Sequence, residues 1–377
     1  FRKSPELGGM YRLGLGLFLF WCSVINVVAT EYIVPVGVDV GEFFETLPTD
    51  ATYISFSAST SYKSEGDIVL PDVQFCVIDG KGASLVLGPN SNGFTRQVLN
   101  QKMVDKKLTC RYVIRDFSEI TGGKKAIDLQ ATLGSIVSNC RLHDQTEIAV
   151  DLRFCLMARI ENVLVTNPKA DGFVIRTGDW PGASATNSQS NSTVLSQCRV
   201  YCSNTTTNAY SVLNCGGVRL VDCISEGGEA DRDLLLSAEM HNDQERFGSN
   251  PTMKSFTLEN FHVEHNVRKE SILVNMTPQA SVNLSNIYWN SASTAPVIRY
   301  VRGQLNLSDI GWWTDNHRII SRVHAPRINV TRCHSKLRLG DKESTTATRS
   351  GSFELADPLG DGQTLDTRYI RVVQPSK

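Results

Sequence analysis

The chain has 377 residues, 41% of them hydrophobic and 20% charged, with a formal net charge of −1. This composition is typical of a globular protein that buries a sizeable core. Because acidic and basic residues nearly balance, the sequence lacks the basic excess by which nucleic-acid-binding proteins attract phosphate, so we expect no nucleic-acid partner.

Residues 1–29 are predicted to be upstream residues followed by a secretory signal peptide that starts at Met10. Arg12 precedes an apolar run over residues 13–21, and small residues at 27–29 offer a cleavage point. The run is short for a bilayer span, so we expect no membrane-spanning segment in the mature chain; a retained anchor is the alternative. The mature protein is therefore expected to be secreted or surface-exposed.

Residues 30–70 are predicted to form an N-terminal cap. Residues 39–47 have the pattern of a short helix that would cover the open end of the repeats that follow. A repeat protein needs such a cover because its terminal strand is otherwise an unpaired edge.

Residues 71–336 repeat a short phrase in which a polar residue, mostly Asn or Asp, stands between apolar positions. The polar position falls at residues 79, 116, 139, 162, 197, 222, 260, 286, 309 and 332. The interval from 116 to 139 is the period of the repeat, since it recurs from 139 to 162, from 286 to 309 and from 309 to 332. A fixed period of this size indicates a solenoid, in which each repeat buries its apolar face on its neighbours.

Each repeat is predicted to contain three short strands. Apolar residues lie four and two positions before the polar residue and one and three positions after it, so two strands meet there at a bend. Asn and Asp tolerate the left-handed backbone of such a bend, and the stacked side chains of Asn139 and Asn162 are expected to exchange hydrogen bonds. A third strand follows further along each repeat, as at 126–129 and 149–152. This pattern predicts a parallel β-helix of about ten coils.

The residue after the polar position is apolar and is expected inside the coil. Trp289 and Trp312 recur at one inner position in adjacent coils and should stack. Cys198 and Cys223 are also equivalent, and they could form either a disulfide or a pair of buried thiols.

This arrangement resembles the right-handed parallel β-helix (pectin-lyase-like) superfamily of pectate lyases, polygalacturonases and phage tailspikes. The resemblance covers about residues 70–336 and implies an all-β, single-domain fold whose first strands carry the functional face. The segment at 167–172 is similar to the Asn-Thr-Asp-Gly segment of polygalacturonases, but only at Asn167, Asp171 and Gly172. The other catalytic strings of those enzymes are absent from the sequence.

On this first-strand face, Asp128 and Asp151 lie one period apart between apolar neighbours, so both are expected outward in adjacent coils. Arg153 and Arg176 form a second outward register. These four residues are the candidate catalytic residues: the carboxylates could act as acid and base, or hold a calcium ion against an acidic sugar. The alternative is a set of solvated cross-strand ion pairs.

Two insertions, at 178–191 and 241–252, follow first strands and are expected to wall a groove beside this face. Trp180 and Phe247 could stack on sugar rings, and Asp171, Asp179 and Arg232 complete the candidate substrate-binding set. His262 and His265 lie away from the proposed face, and we expect them to be surface residues.

Six Asn-x-Ser/Thr sequons are candidate glycosylation sites where they face solvent. They are Asn191, Asn204, Asn275, Asn283, Asn306 and Asn329. Residues 337–377 lose the period and are predicted to be a polar tail or C-terminal cap, with a strand-like segment at 369–373.

The favoured hypothesis is a secreted, N-glycosylated protein that binds a polysaccharide or cell-surface glycan in attachment or adhesion. A polysaccharide lyase or glycoside hydrolase with an atypical Asp and Arg site is the main alternative, and a structural spike protein is the third, because β-helices host all of these functions. No cofactor is required, although calcium could bind, and the chain could trimerise.

Overall fold

The described part of the chain covers most of residues 30–312 and shorter pieces beyond them. The computed structural model describes residues 30–107, 110–184, 187–237, 255–265, 267–276, 280–290, 298–302, 304–309, 311–312, 318–321, 327–331, 338–339, 354–355 and 370–373. The predicted signal peptide, the second predicted insertion and its Phe247 lie outside these residues.

The first strands of successive coils form a twelve-stranded sheet in which neighbours pair in parallel. Numbered in chain order over the whole molecule, they are β4 (Ile68–Val69), β7 (Asn92–Arg96), β10 (Lys125–Leu133), β12 (Ile148–Leu156), β14 (Asp171–Arg176), β17 (Asn208–Leu213), β20 (Arg232–Ser237), β22 (Ile272–Asn275), β24 (Ile298–Arg302), β27 (Arg318–Ser321), β29 (Arg338–Leu339) and β30 (Glu354–Leu355).

The second and third strands of the coils join in a nineteen-stranded sheet, also parallel, because several strands run through the bend without interruption. They are β1 (Glu31–Ile33), β2 (Tyr53–Ser55), β3 (Ser61–Ser64), β5 (Phe75–Asp79), β6 (Ser84–Leu87), β8 (Arg111–Arg115), β9 (Glu119–Gly122), β11 (Ile136–His143), β13 (Arg159–Thr166), β15 (Val194–Ser196), β16 (Arg199–Cys202), β18 (Val218–Val221), β19 (Ile224–Gly227), β21 (Ser255–Glu264), β23 (Ser281–Trp289), β25 (Gln304–Ser308), β26 (Gly311–Trp312), β28 (Arg327–Thr331) and β31 (Ile370–Val373). The predicted all-β, parallel β-helix fold is confirmed.

A short helix lies where the N-terminal cap was predicted. Helix α1 (Val40–Glu45) begins after Asp39, whose side chain accepts a hydrogen bond from the Glu42 N–H at 3.1 Å. Phe44 points into the coil and packs on Phe94, with 6.0 Å between ring centroids. Strand pairing nevertheless begins at β1, so the solenoid starts inside the segment assigned to the cap.

The polar positions of the repeat form left-handed bends. Eight of them have φ between 50° and 60°: Asp116, Asn139, Asn162, Gln197, Asp222, Asn260, Asn286 and Asp309. The expected amide ladder is present, since Asn139 donates to Asp116 and Asn162 donates to Asn139, each at 2.9 Å. A second run links Asn286 to Asn260 and Asn260 to Asp222.

The first polar position departs from the pattern. At Asp79 the left-handed residues come later, at Lys81 and Gly82. The Asp79 carboxylate instead accepts the Lys81 N–H at 3.1 Å and an Arg115 N–H at 2.7 Å. This local side-chain turn moves the bend two residues down the chain.

Inner positions form one continuous core, as the repeat predicts. Trp289 and Trp312 are register partners, and Phe173 stacks on Tyr210 with 5.3 Å between centroids. Cys198 and Cys223 are buried, and all eight cysteines of the described residues are free thiols. Cys198 and Cys223 therefore form a pair of buried thiols rather than a disulfide.

A smaller apolar cluster lies on the outer side of the twelve-stranded sheet, where the sequence analysis placed no core. Helix α2 (Gln101–Lys107) and the loop after β14 pack over strands β10 and β12 there. The cluster contains Val98, Val104, Ala131, Phe154, Trp180 and Ala183. In the residues that the structure describes, no helix is long and apolar enough to cross a bilayer.

Candidate functional site

The two predicted carboxylates occupy one register of the twelve-stranded sheet. Asp128 pairs with Asp151 in the next coil, and Gln130, Arg153 and Arg176 follow in the second register. The expected alignment is therefore confirmed, and all of these side chains point away from the apolar interior of the coil. They are nevertheless covered: the side chain of Asp128 is 2% exposed and that of Asp151 is 0% exposed.

Asp151 is held by cations on two sides. Arg176 binds it through two parallel hydrogen bonds, from Nε at 2.9 Å and from an Nη atom at 2.8 Å. The Lys125 ammonium, from the preceding coil, donates at 2.7 Å to the Oδ2 atom that also accepts from the Arg176 Nη atom. Burial alone would raise the pKa of Asp151, but these cations and Arg153 hold that pKa far below its usual range. These contacts favour the ionised form of the Asp151 carboxylate.

Asp128 and Asp179 both accept hydrogen bonds from the guanidinium of Arg153. Arg153 donates to Asp128 at 2.6 Å and to both oxygens of Asp179 at 2.8 and 2.9 Å. Gln130 also donates to Asp179, at 2.7 Å. Burial raises the pKa of Asp128, and the charge of Asp151 adds to the rise, while Arg153 and Lys125 oppose it. The pKa of Asp179 is lowered, because the two guanidiniums outweigh its partial burial.

The predicted calcium position is taken by a lysine. The ammonium of Lys125 lies 2.7 Å from Asp151 and 3.4 Å from Asp128, between the two carboxylates. Among the described residues, three cationic and three acidic side chains make up this network, so with every acid ionised it is neutral without a metal ion. This arrangement disfavours calcium at Asp128 and Asp151, since a cation there would have to displace the ammonium.

The first insertion closes over this network. Trp180 was expected to offer a stacking surface to sugars, but it is 1% exposed and packs on Phe154 with 5.3 Å between centroids. Its indole N–H donates to Gln101 of α2 at 2.9 Å. The expectation was wrong because an indole next to an uncovered apolar sheet surface gains more by burial than by exposure. Trp180 instead anchors the loop that places Asp179 over Arg153.

The polygalacturonase-like segment has a structural explanation. Asn167 is left-handed, with φ of 57°, and its amide donates to Asp144 of the preceding coil. Asp171 is buried and accepts hydrogen bonds from Asn208 and Ser211, so it does not face a ligand as predicted. Gly172 passes Ala209 so closely that a Cβ would lie 2.5 Å from its carbonyl oxygen. The similarity therefore reflects coil geometry.

Arg232 lies on the same sheet but is also engaged. Its Nε donates to Glu270 at 2.5 Å, and its side chain is 15% exposed. The structure describes the side chains of four of the five residues predicted to bind substrate. Among these four, Asp179 is the most exposed, at 35%. The structure thus brings Asp179 to the predicted catalytic set and leaves Asp171 and Arg232 in separate contacts.

An open depression of about 660 Å³ lies on the opposite side of the coil, beside the amide ladder. It is lined by Gly82, Asp116, Phe117, Ser118, Asn139, Cys140, Arg141, Asn162, Leu164 and Arg199. Arg141, Leu164 and Arg199 share one outward register in three successive coils. The sequence analysis did not single out this surface, although the repeat places all three residues two positions beyond a bend.

A second polar cluster lies inside the coil, where sequence analysis expected none. His265 was predicted at the surface, but it is buried, with Nε2 2.5 Å from Asp233 and Nδ1 2.7 Å from the Gly228 carbonyl oxygen. Ser225 and Ser271 donate to the two oxygens of the same carboxylate. Positions one, three and five after the bend at 260 all point inward, and the fifth is His265.

The six sequons fall into two groups. Asn191 and Asn204 are exposed. Asn283 and Asn306 are half-buried register partners joined by a 2.8 Å hydrogen bond, and Asn329 follows in the same register. Asn275 is also half-buried in a strand. Asn283 and Asn306 therefore form a side-chain ladder at positions that the repeat brings into register.

Comparisons with known proteins give only distant similarities. No family model and no curated protein sequence matches the chain. A catalytic domain of GH87 alpha-1,3-glucanase in complex with nigerose aligns with a TM-score of 0.48 and 11% identity, over 93% of this chain and 69% of the other. Geobacillus virus E2 ORF18 gives 0.46 and 11%, over 80% and 59%. PfbA, a surface adhesin of Streptococcus pneumoniae, gives 0.42 and 9%, over 79% and 84%. Function must therefore be argued from this chain's own residues.

Proposed function

We propose that this protein binds a glycan, and that the depression beside the amide ladder holds it. The observation that supports this proposal is the register of Arg141, Leu164 and Arg199, which sets two exposed cations on either side of a half-exposed apolar residue. With parallel strands about 4.8 Å apart, the two guanidiniums stand roughly 10 Å from each other. Such a pair suits carboxylates or sulfates along an acidic polysaccharide, and Leu164 suits a sugar ring face.

The amide ladder adds hydrogen-bonding capacity to the same surface. Each amide nitrogen carries two N–H groups, and in Asn139 and Asn162 one of them is used for the ladder. The second can donate to a sugar hydroxyl. Because the ladder fixes these side chains before binding, little conformational freedom is lost when a ligand arrives.

The test is a binding titration of the purified chain with acidic and neutral oligosaccharides. We expect acidic ligands to bind in a salt-dependent manner, and the double substitution Arg141→Ala and Arg199→Ala to weaken binding at least about tenfold. Arg159→Ala is the matched control, because Arg159 is an exposed arginine at the far end of β13, outside the depression. Equal affinity of the double variant and the control would refute the proposed site.

A polysaccharide lyase or hydrolase is the second candidate, and one observation favours it. The pKa of Asp128 is raised while that of Asp151 is lowered, and such separation is typical of acid and base pairs. Burial of both carboxylates under the loop weighs against it. An assay for new reducing ends and unsaturated products decides: turnover that disappears in Asp128→Asn would establish the enzyme, and its absence leaves binding.

Secretion, glycosylation and trimerisation belong to the same proposal. Among the sequons, exposure favours Asn191 and Asn204 as the modified residues. Expression in a glycosylating host, followed by glycosidase treatment and mass spectrometry, would identify them. Analytical ultracentrifugation of the same sample measures whether the chain is a trimer.

A further inference from the structure

Three potential metal ligands meet on the outer surface of β19 and β21. Glu226, His262 and Glu264 each offer a ligand atom, and these atoms lie within 4.8 Å of one another. Glu226 is the register partner of Glu264. His262 precedes Glu264 by two residues on the same strand, so the two side chains leave the same face.

The register sets two like charges opposite each other. Carboxylates that face each other across paired strands repel, and this repulsion destabilises the pair unless a cation lies between them. The neighbouring group is an imidazole, with Nε2 of His262 3.0 Å from Glu264. One imidazole and two carboxylates are a donor set that zinc and related transition ions accept.

Two of the three donors contact residues outside the cluster, and the third, Glu226, has Tyr201 as its register partner in the preceding coil. Asn290, from the next coil, donates to Oε1 of Glu264 at 3.1 Å, which leaves Oε2 directed to His262. The His262 ring stacks on another aromatic ring, that of Tyr288, with 4.7 Å between centroids and 20° between planes. Outer partners of this kind orient ligands in metal sites.

We propose that Glu226, His262 and Glu264 bind one divalent transition-metal ion of the zinc type. Small rotations of these side chains, which are half-exposed or exposed, bring the ligand atoms to bonds of about 2.0–2.2 Å. Three protein ligands leave a coordination position open to solvent. Calcium and magnesium bind more weakly here, because they prefer larger sets of oxygen ligands. The site is independent of the proposed glycan-binding depression.

The experiment is calorimetric titration of the full chain with zinc chloride after treatment with a chelator. We expect one equivalent to bind, and His262→Ala and the isosteric Glu264→Gln each to weaken binding by at least about tenfold. Asn290→Ala should weaken it by about tenfold through loss of the hydrogen bond that orients Glu264. His143→Ala is the matched control, since His143 forms a similar half-exposed pair with Asp144 in another coil.

Cobalt(II) separates this site from the cysteines. Cobalt bound by oxygen and nitrogen gives weak ligand-field bands, whereas a thiolate ligand adds an intense charge-transfer band. Ligand-field bands that disappear in His262→Ala support the site. A thiolate band, absence of saturable binding, or unchanged binding in His262→Ala would overturn the proposal.

Discussion

Asp128, Asp151, Asp171 and His265 are buried and bonded to other protein groups rather than exposed to ligand. The clearest example is His265, whose two ring nitrogens both face acceptors, the Asp233 carboxylate and the Gly228 carbonyl oxygen. Two acceptors favour the doubly protonated ring, which agrees with the raised pKa of His265. Trp289 extends the cluster by donating to Ser271 at 2.9 Å. The side chains of His265 and Asp233 are 1% and 0% exposed, so this Ser, His and Asp combination lies inside the coil.

This pair predicts a dependence of stability on pH. Burial alone would lower the pKa of His265, but Asp233, with a smaller effect from Glu226, raises it above its usual value. A raised pKa in the folded state means that the stabilisation is complete below about pH 6.5 and is lost as pH rises through the folded-state pKa. We expect the melting temperature of the wild type to fall more between pH 6 and 9 than that of His265→Asn. Parallel pH profiles of the two proteins would contradict this account, and His143→Asn, at a half-exposed position, serves as control.

At the scale of the element, the left-handed bend is the feature that repeats. Asn139 has φ of 53°, donates to Asp116 and accepts from Asn162. Asn tolerates this conformation, and its amide also links one coil to the next. One residue therefore satisfies a local backbone requirement and a contact between coils, which is why the polar position is so regular in the sequence.

Two substitutions at Asn139 separate these contributions. Asn139→Ala loses both ladder hydrogen bonds and places a Cβ in a left-handed conformation, so we expect a loss of about 2–3 kcal/mol in the free energy of unfolding. Asn139→Gly loses the same bonds without the backbone cost and should lose about 1 kcal/mol less than the alanine variant. Urea denaturation measures both. Equal losses would mean that backbone strain contributes nothing at this bend.

How far the sequence predicts the structure depends on the range of the interaction. Coil period, bends and the register of Asp128 and Asp151 follow from the regular spacing of the repeat, because translation along the coil brings equivalent positions together. The burial of Asp128 and Asp151 beneath a loop and a helix cannot be predicted from this spacing. It depends on Trp180, which lies in one insertion, and on α2, which lies in another. The repeat carries no information about where insertions fold. Lys125 was missed because it lies three residues before Asp128, just outside the aligned positions.

At the scale of the whole molecule, the repeat predicts which deletions the fold accepts. Removal of residues 141–163 deletes one full period and joins Cys140 to Leu164, which keeps inner residues inside and outer residues outside. We expect this variant to keep a cooperative melt and a β-rich circular dichroism spectrum, although it loses the Asp151 ion pairs. Removal of 141–162 is one residue shorter and would turn Val163 and Val165 to solvent. We expect that variant to lose cooperative melting; similar melts for both deletions would show that register does not limit the fold.

The buried free thiols make it possible to follow the order in which the coils separate. Burial raises the pKa of Cys76, Cys140 and Cys202 to about 12 and that of Cys155 to about 11. A thiol in this state reacts with an alkylating reagent only when its coil separates from its neighbours. Because these cysteines are spread along the axis, the order in which they are labelled reports from which end, or from which interior coil, the stack comes apart.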